Sequence, residues 1–571
     1  MNEINQLRSH LRSSISTLSS LKLYQAAKWS AEALNGMKID DDEESDVDLI
    51  QDEETTPIPT IYQIRLNSKD HDQFELAKTY FDCKEFDRCY TILKNSTNSN
   101  CIFLKLYSLL ISGDLKREQE SEGALGSNDL NSSNKSIPII LKEIESLFNK
   151  DKSYKKNPFI NYLYGITLLK QKSTSLAQDA LITSLKQFPF NWSCWLELIH
   201  SISNIDEALN IFQNLESFFH QSFPNSTKFS ELIMIKLGKL NCLQEFFQQT
   251  PELYNQLNEL LEIFPIFSFI KIQKALISYH ALEYTECELI FDDILTNDPL
   301  RLDDMDLYSN ILYVMQKRSK LSYLAQLACS IDKFRPETCC IVANYYSLKF
   351  EHEKAIMYYR RALVLNRNCL SAWTLMGHEF VELKNTHAAI ESYRRAVDTN
   401  QKDFKAWYGL GQAYEILDMH LYSLYYYQKA CYLKPLDSRI WQALGNCYDK
   451  LSKFKDSIKC YKKSLFLNNN SEISKDVTIL FRIAKIFENL NELSNCYEFM
   501  KQVLNEELEN NQKNDLTSQA RLWLAKYEQN LGNWENAYFY AMDMNSGTSQ
   551  EIEEAKMIAR EAKNKMNGIT R

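Results

Sequence analysis

Few residues in this 571-residue sequence stand at the spacing that a catalytic centre requires. His378 and Glu379 begin like the HExxH zinc motif, but Glu382 occupies the place of the second histidine. Gly409 and Gly411 have the spacing that opens a dinucleotide-binding loop, but the pattern around them is helical. The fourteen cysteines include no CxxC pair. We therefore expect no catalytic residue, no metal site and no cofactor, and a protein that is not an enzyme.

A different kind of chemistry is indicated by polar side chains that recur at one regular interval. Gln412 and Asn446 form one such pair, and Glu415 and Asp449 form another with the same spacing. Amides can bond a peptide backbone, and a carboxylate can accept two parallel hydrogen bonds from an arginine. The set predicts a peptide-binding groove, although the same residues would also suit a plain solvated surface, and both interpretations stay open. The candidate residues are Asn344, Thr374, His378, Tyr408, Gln412, Glu415, Gln442, Asn446 and Asp449.

The elements that must position these residues are the helices of a repeat. Three tryptophans recur with the same 34-residue period, and each is followed by glycine after four residues and by tyrosine after twenty. The first spacing marks the apolar stripe of one helix, and the tyrosine marks the stripe of a second. Stacked helix pairs can bury both stripes, whereas a single pair cannot, and this pattern is typical of tetratricopeptide repeats. The residues expected to pack the repeats are Trp373, Gly377, Trp407, Gly411, Trp441 and Gly445.

The 34-residue period extends in both directions from this centre. It predicts an all-α tetratricopeptide-repeat superhelical solenoid of about 13 or 14 helix pairs. We expect a first repeat at residues 1–37, N-terminal repeats at 61–265, a C-terminal array at 266–545 and a charged end at 546–571. The repeat register within 200–265 stays open.

Two polar stretches interrupt the repeats, at residues 38–60 and 114–136, and both are predicted to be disordered loops. The first holds ten acidic residues and no base between positions 40 and 54. Thr56 follows this run and precedes Pro57, which makes it a candidate phosphorylation site.

Composition and charge exclude several classes of protein. The chain has 13 Gly and 11 Pro, too few for a fold built from many hairpins. The acidic run accounts for the whole net charge of −10, and no strongly basic run appears, so we expect no nucleic-acid partner. The sequence contains no unbroken apolar stretch long enough to span a membrane, and we expect no membrane partner.

Several longer segments carry a narrower resemblance. Residues 335–366, RPETCCIVANYYSLKFEHEKAIMYYRRALVLN, and the phrases AWTLMGHEF at 372–380 and AWYGLGQAYEIL at 406–417 are far more specific than the general repeat. LYQAAKWSAEAL at 23–34 and DLYSNILYV at 306–314 extend the match towards the N-terminus. The chain resembles the family of subunit eight of the anaphase-promoting complex, the cell-division-cycle twenty-three family. The two polar inserts fall outside the resemblance, and residues 200–265 match poorly.

The resemblance implies a scaffold subunit, itself without catalytic activity, of a large ubiquitin ligase that marks mitotic proteins for destruction. In that family the N-terminal repeats form a homodimer, and other tetratricopeptide and platform subunits assemble with it. We therefore expect the C-terminal groove to receive an arginine-containing peptide of the coactivator, and we expect the protein in the nucleus and also in the cytoplasm.

Two rival functions remain at this point. One is a generic adaptor or co-chaperone that binds peptide tails through a clamp of Lys and Arg. Counted from repeat starts at residues 336, 370, 404 and 438, the ninth and twelfth residues of each repeat include no Lys or Arg. The other is a transferase whose repeats precede a catalytic domain, and repeats from about residue 8 to about residue 545 leave no room for one. The exact dimer surface, the groove residues that meet the coactivator, the phosphorylation state and the order of assembly cannot be predicted from the sequence.

Overall fold

The fold is all-α throughout the described part of the chain. The computed structural model describes residues 2–37, 68–120, 134–222, 228–248, 250–469, 477–510, 514–542 and 548–569. Within these ranges the chain forms 29 α-helices and two short 3-10 helices, Leu93–Asn95 and Tyr154–Lys156, and no strand. The contacts divide the chain into an N-terminal unit up to Cys369 and a C-terminal unit from Leu370. The predicted all-α repeat fold is confirmed.

The described residues of the N-terminal unit form nine helix pairs, in each of which an odd-numbered first helix precedes an even-numbered second helix. They are α1 Asn2–Ser20, α2 Tyr24–Asn35, α3 Ser68–Asp82, α4 Phe86–Ile92, α5 Ser99–Glu120, α6 Ile137–Lys150, α7 Pro158–Lys170, α8 Thr174–Gln187, α9 Trp192–Ser201, α10 Ile205–Ser222, α11 Lys228–Glu245, α12 Pro251–Ile263, α13 Ser268–His280, α14 Tyr284–Asn297, α15 Met305–Val314, α16 Arg318–Ile331, α17 Pro336–Leu348 and α18 His352–Leu365.

The C-terminal unit contains five further pairs and a last helix that packs on the final pair. They are α19 Leu370–Glu382, α20 Thr386–Thr399, α21 Phe404–Ile416, α22 His420–Leu433, α23 Ser438–Lys450, α24 Phe454–Asn469, α25 Val477–Asn489, α26 Leu493–Asn510, α27 Asp515–Leu531, α28 Trp534–Met542 and α29 Ser549–Ile569. The fourteen pairs agree with the predicted number.

The turn between the two helices of a pair repeats one geometry in both units. In twelve pairs one turn residue lies in the left-handed region; Gly532 is the one glycine among them, and the others have φ between 54° and 68°. In the α19–α20 turn this residue is Lys384, and the next N–H, of Asn385, donates back to the carbonyl of Phe380 at 2.8 Å. Glycine is the usual residue at this position of a helix end. The low glycine content therefore hid these turns from the sequence.

Three glycines of the C-terminal unit let the two helices of a pair approach closely. A Cβ atom added to any of them would lie less than 3.0 Å from the ring of a tyrosine on the second helix. Such a distance is far inside van der Waals contact, so a side chain at these positions would push the two helices apart. The pairs are Gly377 with Tyr393, Gly411 with Tyr427 and Gly445 with Tyr461.

The repeat tryptophans lie near the start of their helices, and two of them bond to the preceding loop. Trp373 is buried, whereas Trp407 and Trp441 are half-buried. The indole N–H of Trp407 donates to the carbonyl of Gln401 at 2.9 Å, and that of Trp441 donates to the carbonyl of Pro435 at 2.8 Å. Each of these two tryptophans thus ties the loop before its helix to the helix itself.

The first helix pair does more than begin the array. Helices α1 and α2, the N-terminal hairpin, pack against the first helices α9 and α11. Trp29 on α2 stacks on Trp192 of α9 with 4.2 Å between ring centroids and 4° between the ring planes. A Cβ atom on Gly36 would lie 2.6 Å from the Cβ of Phe267, next to α13. The predicted first repeat is therefore buried against helices that lie several repeats further along the chain.

Ion pairs reinforce this long-range packing. Arg301 lies 3.3 Å from Glu32, and Lys28 pairs with Asp303, which also pairs with Arg335. Burial alone would raise the pKa of Asp303, but the bonds from Lys28 and Arg335 outweigh it and lower that pKa. These partners are drawn from the hairpin and from the loops before α15 and α17.

The observed boundaries differ from the expected ones at several points. The units divide after residue 369 and not after 265. Helix α5 continues to Glu120, so the start of the predicted disordered insert at 114–136 is helical. Asp114, in this part of α5, accepts a hydrogen bond from Asn134 at 3.0 Å and pairs with Lys170. These contacts fix the helix where the insert begins. The predicted acidic loop at 38–60 and Thr56 lie outside the described residues.

Candidate peptide-binding groove

The candidate groove is the surface of the first helices α19, α21, α23 and α25 in the C-terminal unit. The repeat tyrosines of the second helices are completely buried, and their hydroxyl groups reach candidate residues of this surface. A buried hydroxyl needs a hydrogen-bond partner, so each hydroxyl fixes the orientation of one groove side chain from the interior of the repeat. The bonds join Tyr393 Oη and His378 Nδ1 at 2.9 Å, Tyr427 Oη and Glu415 Oε2 at 2.6 Å, and Tyr461 Oη and Asn446 Oδ1 at 2.6 Å.

Asn344 belongs to the N-terminal unit and has only internal partners. Its amide donates to the hydroxyl of Ser309 and to the side-chain carbonyl of Asn310, both at 2.7 Å. Its carbonyl accepts from the hydroxyl of Tyr359 at 2.5 Å. The side chain is only 2% exposed. Asn344 is thus placed to join α15, α17 and α18, and a peptide would have to displace these bonds to reach it.

Helix α19 contributes two candidates in different surroundings. Thr374 is buried, and its hydroxyl donates to the helix carbonyls of Leu370 and Ser371 at 3.2 and 3.1 Å. His378 is exposed to solvent as a residue. Desolvation of the imidazole is the main reason why the pKa of His378 is lowered, and the nearby charge of Lys405 adds to the effect. His378 is therefore a neutral side chain at physiological pH, able to accept or donate one hydrogen bond.

Helix α21 contributes three candidates that lie together. Tyr408, Gln412 and Glu415 are all half-buried. The ring of Tyr408 lies 5.5 Å from that of Tyr427, whose hydroxyl donates to Glu415. Burial is the main reason why the pKa of Tyr408 is raised, and the nearby charge of Arg439 opposes it. An aromatic face and a carboxylate further along the same helix can receive the apolar stem and the charged head of a long cation.

Helix α23 presents Gln442, Asn446 and Asp449, all half-buried. Arg482 of α25 donates to the carbonyl of Asn446, so this amide bridges neighbouring repeats. Burial raises the pKa of Asp449, and the charge of Arg482 partly opposes the rise. Asp449 therefore already has a cation of the same chain in its surroundings, which the sequence did not indicate.

The residues predicted for the groove include no cation, because they lie at positions five, nine and twelve of the repeat, whereas three cations lie near the groove at other positions. Lys405 and Arg439 stand one repeat period apart at the second position of their helices, a spacing that could have revealed them. Arg439 forms a two-pronged contact with the buried Asp437, at 3.1 and 2.9 Å. The third cation is Arg482, which the irregular spacing after α24 hid. The groove therefore carries charges of both signs.

No cluster of His, Cys, Asp and Glu suited to a metal ion occurs in the ranges that the structure describes. Among the described helices, none combines the length and the apolar character that crossing a membrane requires.

Helix pairs of 34-residue period with glycine and tyrosine at their contact define a tetratricopeptide-repeat protein. Two models of this repeat match the chain, one at residues 377–417 and the other at 336–369 and 438–471. A narrower model, described as Anaphase promoting complex subunit 8 / Cdc23, matches residues 6–275.

Whole-chain comparison gives the same family. Anaphase-promoting complex subunit CDC23 of Saccharomyces cerevisiae is 45% identical over 620 aligned positions, which cover 99% of each chain. Anaphase-promoting complex subunit 8 of Arabidopsis thaliana is 36% identical and covers 67% of this chain and 66% of its own. The chain belongs to the anaphase-promoting complex subunit 8 / Cdc23 family.

The fold has a solved counterpart. The crystal structure of the APC/C hetero-tetramer Cut9-Hcn1 contains a chain that aligns with a TM-score of 0.52 and 15% identity. The alignment covers 87% of this chain and 96% of the other. At this identity the likeness supports the repeat fold and nothing finer.

Proposed function

We propose that this chain is a scaffold subunit, without catalytic activity of its own, of the anaphase-promoting complex ubiquitin ligase. In this proposal it organises other tetratricopeptide and platform subunits, pairs with a second copy through its N-terminal half, and docks an arginine-containing coactivator peptide in the groove of its C-terminal unit. Its work promotes the degradation of mitotic proteins, in the nucleus and also in the cytoplasm.

Membership of the complex rests on the family and on identity that runs along the whole chain. Peptide docking rests on one geometric observation. Glu415 and Asp449 lie on neighbouring first helices at equivalent positions, and both are half-buried. A partly desolvated carboxylate binds a guanidinium more strongly than a fully solvated one does, and Tyr408 offers an aromatic face beside it.

The experiment that tests membership is affinity purification of the tagged full-length chain followed by mass spectrometry. The expected result is stoichiometric recovery of the other subunits of the complex, together with a second, untagged copy of this chain. Recovery of the chain alone, or with chaperones only, would contradict the proposal. Fluorescence microscopy of the same tagged chain tests the expected location.

A second candidate function is a clamp for the terminal carboxylate of a peptide, as in tetratricopeptide adaptors. The presence of Lys405 and Arg439 on the first turns of α21 and α23 favours it, because cations there could hold a carboxylate. Two labelled peptides separate the candidates: an arginine peptide contains an internal arginine and has an amidated C-terminus, and an aspartate peptide ends in aspartate with a free carboxylate. Preferential binding of the arginine peptide supports the coactivator groove, and preferential binding of the aspartate peptide supports the clamp.

The proposed absence of catalysis has its own test. Purified protein incubated with activating enzyme, conjugating enzyme and ubiquitin should form no ubiquitin adduct that a thiol reagent removes. A reducible adduct on any of the fourteen cysteines would contradict the scaffold role.

A further inference from the structure

Helix α22 of the C-terminal unit has large apolar side chains on two opposite faces. Its inner face buries Ser423, Tyr427, Ala430 and Cys431 in the repeat. A helix that is apolar all round normally has both faces buried. The outer face of α22 is instead exposed: Leu421 is 69%, Tyr425 51% and Tyr432 75% exposed. Leu436, in the loop after α22, is 61% exposed and extends this face. We call the four exposed residues the α22 patch.

The two adjacent repeats do not present the whole set of exposed apolar residues. One period before Leu421, Tyr425 and Tyr432 the equivalent residues are polar or charged, and all are exposed on α20. One period after them, the first two equivalent residues are charged, and the third, Phe466, is apolar and 59% exposed on α24. The polar and charged equivalents are His387, Glu391 and Asp398 on α20, and Lys455 and Lys459 on α24.

Two depressions in the surface adjoin the patch. The larger has a volume of about 580 Å³ and lies among the α22–α23 loop, α23 and α24. Its lining includes the apolar Leu436, Trp441 and Leu444 and the charged Asp456, Lys459 and Lys463. The smaller, about 280 Å³, lies between Tyr425 and Tyr432 on α22 itself. A volume of several hundred Å³ can receive one or two large side chains.

Lysines predominate among the charged residues on the α24 side of the patch. Lys429 lies on α22, and Lys455, Lys459, Lys462 and Lys463 are all exposed on α24. The exposed carboxylate between them, Asp456, pairs with Lys459 at 3.2 Å. A partner that covers the aromatic and aliphatic side chains while carrying carboxylates at its margin would complement both features.

From these observations we propose that the α22 patch is a docking surface for a segment of another protein that carries large apolar side chains flanked by Asp and Glu. The proposal rests on the proposed role as a subunit of a complex and names a further contact within it. The patch lies on a second helix, so it is separate from the candidate groove on the first helices.

The test uses a photoreactive benzoylphenylalanine introduced in place of Tyr432 in the tagged full-length chain. The matched control replaces Asp398, which is the equivalent residue of α20 and is also exposed. After affinity purification and irradiation, mass spectrometry identifies the cross-linked peptide. We expect a cross-link from position 432 to another protein, through a segment rich in apolar and acidic residues, at least tenfold above the yield from position 398.

Charge reversal then tests the lysines. Lys459→Glu with Lys463→Glu should lower the cross-link yield from position 432 at least fivefold. The same change at two exposed lysines of α29, Lys556→Glu with Lys563→Glu, should leave the yield unchanged. All four side chains lie on the surface, so neither variant disturbs the core.

Each outcome decides for or against the proposal. Co-purification of the complex with no cross-link above the control overturns the docking surface alone. A cross-link to a second copy of this chain, to lipid, to nucleic acid or to a basic segment also overturns it. Failure of the complex to co-purify overturns the proposed function, and the docking proposal falls with it.

Discussion

The first helices of the two units present different surfaces. In the N-terminal unit, the N-terminal hairpin covers the first helices α9 and α11 and meets the start of α13 through aromatic and apolar contacts. In the C-terminal unit, the first helices α19, α21, α23 and α25 present amides, carboxylates and a tyrosine, and Glu415 and Tyr408 are half-buried. The same repeat thus binds its own chain where its side chains are apolar and stays open to solvent where they are polar.

The largest expected effect is on the contact between the N-terminal hairpin and helix α9. Trp29→Ala removes the ring that stacks on Trp192 and leaves a cavity beside Phe267. Loss of a buried tryptophan typically costs ~3–5 kcal/mol of unfolding free energy. Hydrogen exchange of the full-length variant should become faster in α1, α2, α9 and the start of α13, and should remain unchanged in α21 to α25.

The control for this variant is Tyr24→Ala, an aromatic replacement on the same helix at a side chain that is 49% exposed. It should alter exchange far less, since the ring contributes little buried area. If Trp29→Ala left exchange in α9 and α13 at the wild-type rate, the hairpin would not be held as described.

Overpacking tests the C-terminal unit in the same way. Gly411→Ala would place a methyl group less than 3.0 Å from the ring of Tyr427. Extra atoms in a close-packed contact typically cost ~1–3 kcal/mol. The free energy of unfolding, measured by hydrogen exchange in α21 and α22, should fall despite the higher helix propensity of alanine. A gain in protection would show that the close contact can relax at no cost.

A pH dependence is expected in helix α11. Glu231 lies in α11, its Oε2 is buried without a hydrogen-bond partner in the described part of the chain, and burial raises the pKa of this carboxyl to about 7. The folded state therefore holds a proton that the unfolded state releases near pH 4.5, so stability falls as pH rises from about 4.5 through 7.

Glu231→Gln cannot ionise and should avoid this loss. We expect the variant to be more stable than wild type by ~1–2 kcal/mol at pH 8, a value reduced for partial exposure of the carboxyl. The difference in stability between variant and wild type should vanish near pH 4.5. At that pH Glu231 is protonated in the folded wild type, and the loss of stability has only begun. Urea midpoints of the two proteins at both pH values measure it, and an equal advantage at both would point to a cause other than ionisation.

The smallest expected effect concerns a turn. Lys384 has φ of 59°, a conformation that costs a residue with a Cβ atom roughly 1 kcal/mol. Lys384→Gly should therefore stabilise the α19–α20 pair by about 0.5–1 kcal/mol, after allowance for the greater freedom of glycine in the unfolded chain. Lys405→Gly, inside helix α21, is the contrasting change and should destabilise. Urea midpoints of both variants provide the comparison.

Much of the repeat could be predicted from sequence because its contacts are local. The spacing of Trp373, Gly377 and Tyr393 reflects packing within one helix pair, and the 34-residue period records it directly. The close contact of Gly377 and Tyr393 is the physical reason for that spacing.

The remaining features depend on contacts between distant residues. Nothing in the spacing of Trp29 indicates Trp192, which lies on a helix several repeats further along the chain. Asn344 fits the periodic pattern of a groove residue, yet three partners hold it inside. Lys405 and Arg439 could have been found, since they obey the same period as Glu415 and Asp449. Periodicity predicts the face of a helix and does not reveal what that face meets.

The most direct measurement of the open groove uses a fluorescently labelled arginine-containing coactivator peptide and the full-length protein. The variant Glu415→Gln with Asp449→Asn removes both charges, and glutamine keeps an acceptor for the buried hydroxyl of Tyr427, which alanine would not. The control, Glu391→Gln with Asp398→Asn, removes the same charge from exposed positions of α20. Anisotropy titrations should give a dissociation constant at least about tenfold weaker for the groove variant and unchanged for the control, a difference of ~1.4 kcal/mol or more. Equal affinities for wild type and groove variant would contradict the account and would place the peptide elsewhere.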